Sequence, residues 1–236
     1  MSVSAQHVPT AFAGSREMPP LEGGDRLARA EFERRYAAMP HLKKAELIEG
    51  VVHMAAAVRL RRHGVPHGHL ITWLGNYVAE TPGVLIADNA SLRLDLDNEP
   101  QPDAALCIDP DLGGQARISE DDYLEGAPEF IAEVASSSAS YDLGGKLQVY
   151  RRNGVREYLV WRVLDRAVDW FVLREGVYER LAVDPVGLYR STVFPGLWLD
   201  AAALLSGELS RVLKVLQAGL QSPDHAALVV RLRRGT

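Results

Sequence analysis

Residues 129–163 have the sequence EFIAEVASSSASYDLGGKLQVYRRNGVREYLVWRV, in which two short apolar runs stand on either side of an amphipathic segment. The runs Glu129–Ala135 and Glu157–Val163 have the length and apolar character of strands inside a sheet. Asp142–Asn153 has the periodicity of a helix, and Gly154 follows it at the position where glycine commonly ends helices. The stretch therefore predicts a strand, a helix and a second strand in succession.

The rest of the chain predicts further elements of ordinary length. We expect helices at Arg26–Met39 with Asp25 as its N-cap, at His67–Glu80 and at Ala201–Leu220. Further strands are expected at Val84–Ala87, Ser91–Asp97, Pro102–Ile108, Val168–Leu173 and Val177–Val183, with Arg174–Gly176 as a hairpin turn. Ala45–Met54 changes from helical towards strand-like periodicity around a turn at Gly50, and the basic segment Val58–Val65 predicts a loop. This order indicates an α/β fold with a mixed sheet and flanking helices.

Length and composition fit one domain with additions at both ends. The chain has 236 residues, of which 47% are hydrophobic and 24% are charged, which is enough apolar material for a core. Residues 1–24 are rich in Ala, Ser, Pro and Gly and predict a flexible tail. We expect the domain at residues 25–205 and a helical extension at residues 206–236.

Charge, cysteine content and hydropathy narrow the class of protein. A net charge of -5 argues against a general nucleic-acid coat protein, which needs a large positive field. The one cysteine, Cys107, excludes an internal disulfide and fits a reducing compartment. No apolar run is long enough to span a bilayer, and the N-terminus has no signal-peptide pattern. We therefore expect a cytoplasmic protein without a membrane partner.

Three carboxylates lie inside or beside apolar runs. Asp103 precedes the run Ala104–Ile108, Glu133 lies within Phe130–Val134, and Glu46 precedes Leu47. A carboxylate in a buried strand is costly to desolvate unless it is paired or binds a metal. Two such groups on adjacent strands would repel each other. Either the pKa of one of them is raised, or a divalent cation lies between them. In the second case the oxygen ligands suit Mg²⁺ or Mn²⁺.

Lys146 is the candidate cation near these carboxylates. It lies on the helix that follows Glu133, with Asp142 and Tyr150 on the same helical face. Its ammonium could stabilise charge that develops on a phosphate or position the attacking water. A simpler interpretation is a surface ion pair with Asp142, and Tyr150 is interpreted as packing.

An ordered set of short motifs resembles the Uma-type "putative restriction endonuclease" family of the PD-(D/E)XK nuclease superfamily. The resemblance runs from about residue 31 to residue 205. It rests on Glu46–Gly50, His67, Gln101–Asp103, Ala127–Pro128, Glu133–Val134, Ser136, Tyr141–Gly144, Lys146, Tyr150 and Gly154–Tyr158, in this order.

The resemblance implies a restriction-endonuclease-like core in which Asp103 and Glu133 bind the metal. Most of the superfamily has a lysine two residues after the glutamate, where this chain has Ala135. The resemblance implies that Lys146 supplies the amine instead and that Glu46 joins the site. Two neighbouring positions depart from the family pattern: Ala45 replaces an aromatic residue, and Ser137 replaces a proline.

The function expected on these grounds is a Mg²⁺-dependent or Mn²⁺-dependent endonuclease that acts on DNA. A homodimer would suit this function, because cutting both strands needs two active sites. The alternative is an inactive module of the same fold that binds nucleic acid or a protein partner, and a third interpretation is hydrolysis of RNA or nucleotides. A zinc site at His63, His67 and His69 is disfavoured because matching cysteines and acidic residues are lacking. The run Arg59–His63 is either a solvated loop or a contact for phosphate.

Overall fold

The computed structural model describes residues 18–54 and 57–234. Its strands are β1 (Ala45–Ile48), β2 (Val51–Met54), β3 (Val84–Asp88), β4 (Leu92–Arg93), β5 (Ala104–Ile108), β6 (Arg117–Ile118), β7 (Leu124–Glu125), β8 (Phe130–Ala135), β9 (Glu157–Arg162), β10 (Ala167–Arg174), β11 (Val177–Arg180), β12 (Tyr189–Arg190) and β13 (Trp198–Leu199). Its α-helices are α1 (Arg29–Ala37), α2 (Val65–Ala79), α3 (Ala139–Tyr141), α4 (Leu147–Asn153), α5 (Ala201–Leu205), α6 (Leu209–Leu220) and α7 (Pro223–Arg234). A π-helical turn at Leu60–Gly64 leads into α2, a second at Asp142–Lys146 joins α3 to α4, and Pro110–Leu112 forms a 3₁₀ turn.

Six strands form one mixed sheet in the order β11-β10-β9-β8-β5-β3. Neighbouring strands are antiparallel except β8 and β9, which are parallel. Parallel neighbours need a crossover connection, and the helical segment 139–153 supplies it. The expected α/β class and the strand–helix–strand unit at residues 129–163 are therefore confirmed.

The central strands β5 and β8 are buried along their whole length. Alternate residues of each strand face opposite sides of the sheet, where they join two separate apolar clusters. Phe130, Ala132 and Val134 face the cluster that contains α2 and the C-terminal helices. Ile131 and Ala135 face the cluster under α4. The same alternation puts Glu133 on the α4 side of the sheet.

The C-terminal segment contributes to the main core. Val212 and Leu216 of α6, together with Leu228 and Leu232 of α7, are buried in the same cluster as β5 and β8. The segment expected as a helical extension contains the two helices α6 and α7, and their apolar residues cover one side of the central sheet. No helix in residues 18–54 and 57–234 combines the length and the apolar character needed to cross a membrane.

A third apolar cluster lies between α1 and the hairpin β1–β2. The predicted turn at Gly50 is present, and the positive φ angles of Glu49 and Gly50 (54° and 69°) match the tight turns that join hairpin strands. Residues 45–48 form a strand rather than a helical segment. Leu21 is 3% exposed and packs in this cluster, so the part of the expected tail that is described makes core contacts. Residues 1–17 lie outside the described residues.

The first helix begins later than expected. Arg26 pairs with Val51 of the hairpin, so the chain is still extended there. The carboxylate of Asp25 accepts a hydrogen bond from the backbone N–H of Glu22 instead of capping a helix. Helix α1 starts at Arg29 without a side-chain cap, because pairing with the hairpin takes the preceding residues.

Three other expectations were wrong in extent or type. Ser91–Asp97 forms only the two-residue strand β4, because Asn98 donates its side-chain N–H to Asp95 and closes a turn. Ala201–Leu220 is interrupted near Gly207, whose φ of 77° suits the left-handed end of a helix. The predicted loop Val58–Val65 contains the π-helical turn that starts α2.

Candidate active site

A cavity of about 660 Å³ opens on the α4 side of the sheet. Its walls come from the hairpin β1–β2, the two π-helical turns, the start of β5 and the loop after β8. All four predicted site residues line it, namely Glu46, Asp103, Glu133 and Lys146. The cavity has the size of typical small-molecule sites, which range from roughly 300 to 1,000 Å³.

Asp103 and Glu133 face each other across two neighbouring strands. Ala104 lies opposite Ala132 in the antiparallel pair β5–β8, so Asp103 and Glu133 occupy the next facing positions. The backbone N–H of Val134 donates to Asp103 Oδ2 at 2.8 Å, and that of Asp103 donates to Glu133 Oε2 at 3.4 Å. Both side chains are almost completely buried. The strands therefore hold two carboxylates close together with little water around them.

Lys146 lies among three other carboxylates. Its Nζ is 2.7 Å from Glu46 Oε1, 2.8 Å from Glu133 Oε1 and 3.9 Å from Asp142 Oδ1. Lys146 is only 3% exposed, so its contact with Asp142 is part of a buried cluster and is not a surface ion pair. Glu46 also accepts a hydrogen bond from the backbone N–H of Gln101, which ties β1 to the segment before β5.

Two tyrosines place hydroxyl groups beside this cluster, and neither was identified from the sequence as a polar contact. The hydroxyl of Tyr150, interpreted above as packing, donates to Glu133 Oε1 at 3.0 Å. Its spacing of four residues from Lys146 on the same helix face was the available signal. The hydroxyl of Tyr141 is buried beside Lys146 and has no hydrogen-bond partner within the described part of the chain.

Burial and charge shift the ionisation of this cluster. Burial raises the pKa of Glu133 to about 8, and nearby Asp103 adds to the shift while Lys146 opposes it. Burial alone would lower the pKa of Lys146, but Glu133 and Glu46 outweigh it and hold that pKa well above the usual value. The lysine is thus charged at neutral pH, whereas the cluster of carboxylates retains a proton.

Asp103 has cationic and polar neighbours on its other side. His63 Nε2 is 3.2 Å from Asp103 Oδ2, and Lys44 Nζ is 3.5 Å from Asp103 Oδ1. Burial would raise the pKa of Asp103, but His63, Lys44 and the Val134 N–H together hold it below its ordinary value. Lys44 was not predicted, because a lysine in the polar segment before β1 looks like an ordinary surface residue.

His63 and His67 approach Asp103 together. Their rings stack with centroids 5.7 Å apart, and His67 Nε2 lies 3.2 Å from the backbone oxygen of Asp103. No three His, Cys, Asp or Glu side chains within residues 18–54 and 57–234 are arranged to hold a metal ion between them. His63 stands on the π-helical turn before α2, and Lys146 ends the other such turn. Turns of this type are frequent at functional sites.

The carboxylate pair Asp103 and Glu133 fits the way Mg²⁺ is usually bound. That ion is commonly held by one or two carboxylates, while water and substrate phosphate complete its coordination. Both groups are hard oxygen donors, and both line the cavity. These two residues could therefore hold Mg²⁺ or Mn²⁺ without a third side-chain ligand.

Ala135 is the last residue of β8, and Ser137 lies in the segment that follows it. Ala135 faces the α4 side of the sheet like Glu133 and is fully buried among apolar side chains. An amine therefore reaches Glu133 from Lys146 on the helical segment instead of from the strand. Ser137 is exposed and lines the cavity with Ser136 and Ser138.

Comparison with known proteins agrees with this fold. The family model described as "Putative restriction endonuclease" and named Uma2 matches residues 29–202. A solved structure of a "putative nuclease belonging to DUF820" from Anabaena variabilis ATCC 29413 is similar, with a TM-score of 0.52 and 13% identity. The similarity covers 73% of this chain and 97% of that chain, and it shows the fold. No curated protein matches the sequence significantly. The family match extends over most of the chain, and we conclude that the chain belongs to the Uma2 family of nuclease-like proteins.

Proposed function

We propose that this protein is a metal-dependent endonuclease that hydrolyses phosphodiester bonds in nucleic acid, with DNA as its substrate. One observation carries the proposal: the Lys146 ammonium contacts Glu133 and Glu46 at the floor of a cavity where Asp103 faces Glu133. A buried lysine beside two facing carboxylates combines the charges that phosphodiester hydrolysis uses.

Asp103 and Glu133 would hold the metal in this proposal. A bound Mg²⁺ or Mn²⁺ supplies charge neutralisation at the scissile phosphate and lowers the pKa of a coordinated water. The chain itself contributes rigidity, because the two ligands lie on central strands and Val134 fixes the Asp103 carboxylate by a backbone hydrogen bond. Such fixed dipoles and charges need no reorganisation during the reaction.

Lys146 would act on the reacting groups from the side of Glu133 that faces away from Asp103, because it contacts Glu133 Oε1 whereas Asp103 contacts Oε2. An ammonium has three N–H donors, and Glu46 and Glu133 accept two of them. The third donor can orient the attacking water or stabilise charge that develops on the phosphate. Glu46 holds the ammonium in place and is a positioning residue, because its contact with the Gln101 backbone anchors it to the sheet.

A second candidate function is a module of the same fold that binds nucleic acid or a protein partner without hydrolysis. The observation that favours it is the lack of three converging metal-ligating side chains in residues 18–54 and 57–234. Metal binding that depends on Glu133 is expected of the nuclease and is not expected of such a module.

Cleavage of supercoiled plasmid DNA tests the proposal. Wild type with Mg²⁺ or Mn²⁺ should nick or linearise the plasmid, and Asp103→Asn should abolish this. Asp169→Asn is the matched control, since Asp169 is also buried in the sheet but pairs with Arg162 and Arg180 outside the cavity. Equal activity of wild type and Asp103→Asn, or no cleavage with either metal, would overturn the proposal. Linear product formed in a single binding event would further indicate two chains acting together, since the described part of each chain forms one such site.

A further inference from the structure

We infer that the basic turn, defined as residues 59–64, binds the phosphate backbone of the nucleic acid and holds it against the acidic cluster. The inference rests on the proposed function for its choice of partner, but binding at this turn does not require hydrolysis. The turn comprises Arg59 and the π-helical segment Leu60–Gly64, at the mouth of the cavity.

The arginines of the basic turn lack the ion pairs with carboxylates that most other described arginines form. Arg59, Arg61 and Arg62 are exposed and form no ion pair with a carboxylate in the described part of the chain. By contrast, Arg93 contacts Glu33 and Asp121. In a chain with a net charge of -5, arginines that have no acidic partner among the described residues have their charge available for an external anion.

Two of these arginines face the cavity and one does not. Arg59 and Arg62 line the cavity that contains Asp103 and Glu133, whereas Arg61 is absent from its walls. Guanidinium groups bind phosphate through two parallel hydrogen bonds, which gives both affinity and orientation. The turn therefore presents two phosphate-binding groups towards the candidate metal ligands.

The basic turn is also fixed relative to the candidate metal ligands. His63 belongs to the turn and contacts Asp103 Oδ2 at 3.2 Å, and it stacks on His67 of α2. Lys44 contacts the same carboxylate from the other wall of the cavity. A strand held by Arg59 and Arg62 would therefore lie at a defined position next to Asp103.

The carboxylates of the cavity explain why a nuclease of this kind would need the basic turn. Glu46, Asp103, Glu133 and Asp142 line the cavity, and the lysines that line it are Lys44 and Lys146. An excess of negative charge repels a polyanion, so cations at the mouth are needed to bring phosphate to the site. An acidic peptide has carboxylates instead of phosphates, and the nucleic acid is favoured because the arginines adjoin groups suited to phosphodiester chemistry.

Salt-dependent binding tests the inference. Fluorescence anisotropy would follow labelled single-stranded DNA, duplex DNA and single-stranded RNA of one sequence, with EDTA present and at salt concentrations from about 50 to about 300 mM. The slope of log Kd against log salt counts phosphate contacts, at about 0.7 for each contact on a single strand and about 0.9 on duplex DNA. Arg59→Gln and Arg62→Gln should each lower the slope by about that amount, and the double variant by about twice as much.

Arg233→Gln is the matched control, because Arg233 is an exposed arginine of α7 that does not line the cavity. Its slope should equal that of wild type, and circular dichroism should show that all variants are folded. The turn binds the type of nucleic acid for which Arg59→Gln and Arg62→Gln lower the slope. Equal losses in Arg233→Gln and Arg62→Gln, or unchanged slopes in the double variant, would overturn the inference.

Other outcomes separate this inference from the proposed function. If wild type binds with a salt-dependent slope and Arg62→Gln lowers that slope as expected, but no metal supports cleavage, the inference stands and the nuclease proposal is rejected. Cleavage that depends on Asp103 with unchanged slopes in the double variant would keep the nuclease and reject the inference. Binding to none of the nucleic acids, or competition by polyglutamate as effective as that by unlabelled DNA, would also reject the inference.

Discussion

Replacing Lys146 by methionine should destabilise the metal-free protein strongly at slightly alkaline pH. The side chain is 3% exposed, and its Nζ contacts Glu46 and Glu133 at 2.7 and 2.8 Å. Methionine is an unbranched, flexible side chain that can occupy most of the same space without the charge. The substitution therefore removes the cation and leaves three buried carboxylates facing one another, since Asp142 is also within 4 Å.

The burial of Lys146 determines how much stability the Lys146→Met variant should lose. Removing one partner of a buried ion pair costs about 3–5 kcal/mol, because the remaining charge is left without compensation. We expect the free energy of unfolding to fall by this amount at a pH of about 8. At a pH of about 5 the unpaired carboxyl groups take up protons, and the loss should shrink, since a tenfold change in proton affinity corresponds to about 1.4 kcal/mol.

Urea denaturation followed by tryptophan fluorescence measures this effect, with EDTA present at both pH values. Lys214→Met is the control, because Lys214 is exposed on α6 and forms no ion pair in the described part of the chain, so its loss should change stability by about 0.5 kcal/mol or less. Combining Lys146→Met with Glu46→Gln should recover part of the loss. If Lys146→Met is no more destabilising than Lys214→Met at a pH of about 8, the account of the buried cluster is wrong.

Two further predictions concern ionisation and packing. The folded-state pKa of Glu133 is about 8, above its ordinary value of 4.5. Between these two pH values the folded protein binds more protons than the unfolded protein, so its stability falls as the pH rises from 4.5 to about 8. In urea titrations, Glu133→Gln should reduce this loss of stability by up to about 1.4 kcal/mol per pH unit. Glu99, whose pKa is also about 8, maintains part of the pH dependence. Identical pH profiles of stability for wild type and Glu133→Gln would contradict the pKa assigned to Glu133. A Cβ at Gly219 would lie 2.2 Å from the Gly196 backbone oxygen, so Gly219→Ala should lower stability by about 1–3 kcal/mol. Gly68→Ala, where a Cβ meets nothing within 4 Å, should leave stability equal or higher, and equal melting temperatures of the two variants would refute the packing argument.

The buried carboxylates could be predicted because the cost of burying charge is visible in the sequence. Glu133 stands within an apolar run, and an unpaired charge there would be unfavourable. The place of Lys146 followed from the resemblance to a nuclease family. Its buried contacts with Glu133 and Glu46 are properties of the folded chain.

Other features depend on contacts between segments that are distant in the sequence. Lys44 and His63 reach Asp103 only after the hairpin and the basic turn pack on the sheet. The π-helical turns were missed because apolar periodicity does not distinguish them from ordinary helix or loop. Ser91–Asp97 has a clear strand pattern, but side-chain hydrogen bonds of Asp95 and Asn98 favour a turn there.

Calorimetric titration with Mn²⁺ tests most directly whether Asp103 and Glu133 form a metal site. Wild type should bind a single Mn²⁺ per chain, with affinity that rises with pH as the proton held by Glu133 is displaced. Glu133→Gln should lose this binding, and Asp169→Asn should retain it because Asp169 pairs with arginines outside the cavity. Equal Mn²⁺ binding by wild type and Glu133→Gln, or none by wild type, would contradict the assignment of these carboxylates as the metal site.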